Sequence, residues 1–166
     1  ISRVDTEIDQ RLDAIGSPEA LALRGQGAVA QGKLAYQLFQ RAFSGPRWEA
    51  LRAQGAVVQR PLWASTSTKN PAYPDTLYVD ELIGPDTVNT LPDATLEAFA
   101  DHGNLARRVD AEVDAAEAAW KGLAEVGVDL DDVAAKLERE GVSSFQKSFD
   151  ELLGALGTKA AELRAT

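Results

Sequence analysis

Two short stretches of this chain can form strands, and helical patterns surround and separate them. Residues 56–65 are an apolar, β-prone run between Gly55 and a Ser/Thr/Asn/Pro cluster. Residues 87–91 are a second such run, bounded by Pro85-Asp86 and Pro92. Pro61 removes a ladder donor from the first run, which weighs against a regular central strand. Strands that alternate with helices, and then give way to helices alone, predict a parallel α/β layer ending in a helical tail. So few strands cannot close a barrel by themselves, and an open parallel edge leaves backbone groups unpaired.

Around the strands the helical signals are local and readable. Val4, Ile8, Leu12 and Ile15 recur at helical spacing and predict a helix over 5–15 that Gly16 stops. Ser17-Pro18 starts another, with serine as cap and proline in the first turn. The pattern continues over 19–43, with Leu21, Ala28, Val29, Tyr36, Phe39 and Phe43 as its buried face. Gly25, Gly27 and Gly32 each cost such a helix about 1 kcal/mol against alanine, so it packs closely there or breaks. Further helices are predicted at 47–54, 93–101, 108–126, 129–140 and 142–164, with Asp129 and Ser143 as caps. A helical turn at 76–82 starts from Asp75 as its cap.

Composition narrows the chemistry. The 166 residues contain no cysteine, which excludes disulfides, thiolate zinc sites and cysteine nucleophiles. A single histidine, His102, excludes a multi-histidine metal centre and, at a predicted helix end, reads as a cap. With 26 acidic against 17 basic residues and a net charge of −9, a general nucleic-acid binder is not expected. No apolar run approaches the roughly 20 residues of a membrane helix, so no membrane partner is expected. The chain opens Ile1-Ser2-Arg3 and has no methionine, and it reads as a piece of a longer protein.

One segment concentrates polar chemistry. In RPLWASTSTKNP, residues 60–71, a strand runs into four consecutive hydroxyls, Lys69, Asn70 and a proline. Hydroxyls, backbone N–H groups and one cation at a strand's carboxyl end can hold a phosphate or a polyol. The alternative is a Ser/Thr-rich loop that satisfies its own backbone. Arg3, just before a helix, either attracts an anion to the helix start or pairs with Asp5 or Glu7. No glycine-rich phosphate loop and no Ser–His–acid arrangement is present.

Three blocks carry a family resemblance: Ser2-Arg3-Val4-Asp5-Thr6-Glu7-Ile8-Asp9, the run at 60–71, and DTLYVDELIGPDTVNTLP at 75–92. They resemble transaldolase, in its longer bacterial subfamily, some members of which are fused to a phosphoglucose isomerase domain. The resemblance covers essentially the whole chain and places it in the C-terminal portion. It implies an α/β fold, the last part of a (β/α)8 barrel of class I aldolase type. Residues 1–103 would be the last strands and helices of the barrel, and 104–166 a C-terminal helical tail packing on it. The tail's apolar stripe, Val142, Phe145, Phe149, Leu152 and Leu153, would bury against the barrel's outer helices.

The implied activity moves a dihydroxyacetone unit between sugar phosphates: sedoheptulose 7-phosphate and glyceraldehyde 3-phosphate give erythrose 4-phosphate and fructose 6-phosphate. The covalent carrier is a lysine Schiff base, implied to lie upstream of Ile1, so no catalytic residue is expected within the chain and the chain alone is expected to be inactive. No cofactor and no metal are implied. The family's phosphate site matches Arg3 and Ser65. Ser67 stands where shorter members have an arginine, and Lys69 is expected to supply the charge. Expected partners are sugar phosphates, the rest of the barrel and a second copy of the chain, in the cytoplasm. The competing expectation is a non-catalytic, helix-rich fragment that acts only in assembly or binding.

Overall fold

A computed structural model describes residues 1–165. In chain order the elements are α1 (Ser2–Ile15), α2 (Pro18–Leu21), α3 (Gly27–Ala42), α4 (Gly45–Ala53), β1 (Leu62–Trp63), α5 (Leu77–Glu81), β2 (Val88–Asn89), α6 (Asp93–His102), α7 (Val113–Glu125) and α8 (Leu130–Ala165). The chain divides into two compact units, Ile1–Val128 and Asp129–Thr166.

The first unit is built around a parallel pair, β1 with β2, in the register Leu62 to Val88 and Trp63 to Asn89. The order of strand, helix and strand therefore stands as predicted, but the first strand is much shorter than 56–65. The ladder exists only where a neighbour offers partners: Val88 N–H bonds to Pro61 O and Thr90 N–H to Trp63 O. Residues 56–60 are exposed and lie outside that ladder.

Helix starts and stops mostly follow local chemistry. Gly16 ends α1 in the left-handed conformation, with its N–H on Leu12 O. The Ser17 hydroxyl accepts the Ala20 N–H and caps α2. The single helix expected over 19–43 is broken, because the chain turns through Gly25 at φ 72° before α3 begins. Leu21, expected to be buried, lies on the short α2 and is 40% exposed. The helix expected from 108 begins only at Val113, because Glu112 before it takes the left-handed conformation at φ 54°, while the Arg108 and Val109 N–H groups bond to Ile83 O. Thr76, not Asp75, precedes α5, and its hydroxyl bonds to Asp80.

Two clusters hold the unit together. Tyr36, Trp63, Leu82 and Val109 form one, with Ile1 and Phe39 against it. Polar ends of its rings are satisfied: Trp63 Nε1 donates to Leu82 O at 3.1 Å and Tyr36 Oη to Pro85 O at 3.0 Å. Ala30, Ala116 and Ala119, with Trp120, pack α3 on α7. Beside that contact Lys33 is buried and bonds to Glu81 Oε2 at 3.0 Å and Ala111 O at 3.2 Å. Arg108 reaches the other Glu81 oxygen at 2.8 Å. Burial pushes the Glu81 carboxyl up, but Lys33 and Arg108 outweigh it and hold it below its ordinary value.

The second unit is essentially α8. The Asp129 carboxylate caps it, accepting the Asp132 N–H at 2.9 Å. The expected break between 129–140 and 142–164 does not occur. Gly141 stays helical and Ser143 is mid-helix rather than a cap. The stripe of Val142, Phe145, Phe149, Leu152 and Leu153, expected to pack on the barrel's outer helices, lies along α8. Each of these side chains is more than half exposed in this structure. Among the described residues no helix is long and apolar enough to cross a membrane.

Candidate functional site

The candidates Ser65, Ser67 and Lys69 follow β1 in the chain. The Ile1 nitrogen donates to Ala64 O at 2.9 Å, and Ser2 N–H to Ser65 O at 2.9 Å. These two bonds lay the chain start beside the end of β1, and α1 departs from there. Arg3 thus stands in the first turn of α1, exposed, one residue from the backbone bond to Ser65. Ser65 itself takes φ 57°, a left-handed conformation that costs a non-glycine residue about 1–3 kcal/mol. Such strain concentrates at sites of recognition, where the backbone must turn a particular group outward.

Thr66 next to it is fully buried and joins the ends of the two strands. Its hydroxyl donates to Asn89 Oδ1 at 2.7 Å and lies 3.2 Å from Thr90 O. Ser67 is half-buried, and Lys69 is exposed. Lys69 lines a groove of about 320 Å³ along α1, with Thr6, Asp9, Asn70 and Tyr73 among its walls. The structure therefore joins Arg3 to Ser65 through the backbone, and sets Lys69 on the loop beyond, facing α1. The groove's α1 wall is acidic, with Asp5, Asp9 and Asp13 all on it.

Asp5 and Asp9 are engaged structurally. Asp5 is 2% exposed; one oxygen accepts the Ala28 N–H at 2.7 Å and the other the Tyr78 O–H at 2.7 Å. Burial pushes the Asp5 carboxyl up, against those two donors, which favour its charge. Asp9 accepts the Gly25 N–H at 2.9 Å and the Tyr73 O–H at 2.6 Å. Glu7, the other acid proposed as a partner for Arg3, is bridged by Arg11 at 2.8 Å. His102, read as a helix cap, directs its ring at carboxylates instead: Asp75 at 2.9 Å and Asp101 at 3.0 Å. Both raise the imidazole above its ordinary value, Asp75 more. Among the described residues no group of three or more His, Cys, Asp or Glu side chains could hold a metal ion.

Residues 1–156 match the family described as Transaldolase/Fructose-6-phosphate aldolase. The chain belongs to this family. It is 55% identical over 157 residues to the transaldolase of Frankia alni, across 94% of the chain and 42% of that protein. To the transaldolase of Mycolicibacterium smegmatis it is 55% identical over 156 residues, 93% of the chain and 42% of that protein. The transaldolase of Thermobifida fusca is 51% identical over 162 residues, 97% of the chain and 44% of that protein. The chain thus spans less than half the length of these transaldolases.

Within this transaldolase-family chain, some residues at the site were not singled out from sequence. Ser2 is 1% exposed, and its hydroxyl finds no hydrogen-bond partner among the described residues. Asp5 did carry a signal, because it shares one α1 face with Ile8 and Leu12, so a carboxylate stands in an apolar stripe. Lys33 carried the same kind of signal, lying between Val29 and Tyr36 on one face of α3. Tyr73 and Tyr78 carried none, since their partners are 64 and 73 residues away.

Proposed function

We propose that the chain is the C-terminal part of a cytoplasmic transaldolase and supplies the substrate-phosphate contacts of a (β/α)8 barrel. Residues 1–103 would contribute the last strands and helices of that barrel, and 104–166 its terminal helices. The reaction breaks a ketose phosphate by retro-aldol cleavage and passes the dihydroxyacetone unit to an aldose phosphate. The Schiff-base lysine belongs to the part of the protein outside these residues. Arg3 and Ser65 hold the phosphate, with Ser67 and Lys69 completing the cradle. The rest of the barrel, and a second copy of the whole, are the partners on this reading.

The observation that carries it is the pair of backbone bonds from Ile1 and Ser2 to Ala64 and Ser65. They align the start of α1 with the carboxyl end of a parallel strand, where barrels of this kind bind phosphate. An exposed arginine in the first turn of α1, and a serine held left-handed at the strand end, support that reading.

In the full-length protein, Arg3→Ala should mainly raise KM for sugar phosphates, by about tenfold or more, since a charge-assisted contact is worth roughly 1.5–3 kcal/mol. Unphosphorylated donors should be affected far less, and equal losses for both would refute phosphate reading. Borohydride trapping with fructose 6-phosphate, followed by peptide mapping, should place the adduct outside these residues. An adduct on Lys33 or Lys69 would overturn the assignment of the covalent step.

A further inference from the structure

Residues 66–75 leave β1 as a loop with little apolar packing: Lys69, Asn70, Pro71, Ala72 and Pro74 are all exposed. Hydrogen bonds hold it instead. Thr66 ties its start to the end of β2, and Asp75 ties its far end to His102 on α6. The loop also closes on itself, through Thr68 Oγ1 to Pro74 O at 2.9 Å and the Ala72 N–H to Asn70 Oδ1 at 3.0 Å.

Tyr73 anchors this loop to α1. Its hydroxyl donates to Asp9 Oδ2 at 2.6 Å, while Asp9 Oδ1 accepts the Gly25 N–H at 2.9 Å. The ring lies flush on Gly25, where a Cβ would come within 2.8 Å of Cζ. Tyr73 is therefore gripped at its hydroxyl and on its face. Burial, then the hydrogen bond to Asp9, push the phenol well above its ordinary value, so it remains a donor throughout the working pH range. Asp9 stands about 9 Å along α1 from Arg3, at 1.5 Å per residue. One rigid helix thus carries Arg3 at its start and clasps the Lys69 loop further along.

We propose that Asp9 and Tyr73 are positioning residues for the phosphate cradle: their clasp sets Ser67 and Lys69 at a fixed reach from Arg3 and Ser65. This rests on the reading of those four residues as the cradle. Loss of the clasp leaves the loop joined only through its ends and its internal bonds, so Lys69 spends less time within reach of a bound phosphate. Binding of phosphate weakens, while the covalent chemistry, carried elsewhere, is untouched.

The test uses the full-length protein, with inorganic phosphate as competitive inhibitor and fructose 6-phosphate as substrate. Tyr73→Phe should raise both the phosphate inhibition constant and KM about fivefold, with kcat changed less than about twofold. In a Lys69→Ala background, Tyr73→Phe should add less than about twofold, the share that acts through Ser67. Asp9→Asn keeps an oxygen for the Gly25 N–H and offers Tyr73 an N–H; it should raise the inhibition constant less than half as much as Asp9→Ala. That pair carries the same comparison should Tyr73→Phe not fold. If Lys69→Ala raises the inhibition constant and neither Tyr73→Phe nor Asp9→Ala does, the clasp is refuted and the cradle stands. If Lys69→Ala has no effect, both are overturned. A fall in kcat shared by phosphorylated and unphosphorylated donors would mark the clasp as purely structural and overturn it.

Discussion

Gly25 meets two demands that no other residue type satisfies together. Its φ of 72° is left-handed, and the Tyr73 ring occupies the place of a Cβ. Gly25→Ala adds a left-handed penalty of about 1–2 kcal/mol to a contact that backbone and ring cannot both relieve. We expect a loss of about 2 kcal/mol or more, read from the denaturant midpoint; an unchanged midpoint would show that the turn re-forms without the glycine. His102 makes a second residue-scale case. Asp75 and Asp101 raise its pKa above the ordinary 6.5, and the same contact lowers Asp75 below 3.8. A raised folded pKa means that the imidazolium's contribution is complete below pH 6.5 and fades as pH climbs through the folded value. The Asp75 share is present above 3.8 and is lost as pH falls through its lowered value. The tie therefore holds between those limits. His102→Gln should lower the melting temperature at about pH 6, with the difference from the parent gone by about pH 9. A difference independent of pH would assign His102 a role other than charge.

At the scale of elements, α8 behaves as its composition allows rather than as its glycines suggest. Gly141, Gly154 and Gly157 all lie within it, and a Cβ at any of them would meet nothing within 4 Å. None takes a positive φ, so none is needed for a turn. Each costs the helix conformational entropy without a packing return, and Gly141→Ala should stabilise it by about 0.5–1 kcal/mol. Circular dichroism at 222 nm through a thermal melt checks this; a lower midpoint would mean that the glycine serves a contact made outside this chain. The glycines of α3 are different. At Gly32 a Cβ would stand 2.7 Å from a Leu82 methyl, and at Gly27 2.6 Å from one of Ile8. There the missing side chain is what lets α3 approach its neighbours. The buried Lys33 adds specificity to the same approach, since α3 must present it where both Glu81 and Ala111 can accept from it.

For the molecule as a whole, a two-stranded parallel sheet is an incomplete layer. Leu62 on β1 is 54% exposed, Val57 before it 85%, and Phe145 on α8 77%. Unpaired strand edges and apolar faces of this kind drive association unless something covers them. The isolated 166-residue chain should therefore self-associate or, on the function proposed above, bind the rest of the barrel when the two are mixed. Light scattering coupled to size exclusion checks this, and a monodisperse, cooperatively melting monomer would contradict it.

Much of the first unit was legible because it depends on a few neighbouring residues. Periodicity marks α1, Gly16 ends it, Ser17-Pro18 begins α2, and the β-prone runs meet as β1 and β2. The blocks at 2–9, 60–71 and 75–92 carry the family, which the comparisons bear out. What tertiary structure alone decided are choices among partners far apart in sequence. Tyr73 finds Asp9 across 64 residues, and Lys33 finds Ala111 across 78. The length of β1 is set by where β2 lies beside it, and the left-handed Ser65 by the strand end it must leave. Propensity and capping act over a turn or two, so they place elements along the chain. Burial and hydrogen bonding between elements depend on which faces meet, and no local pattern encodes that.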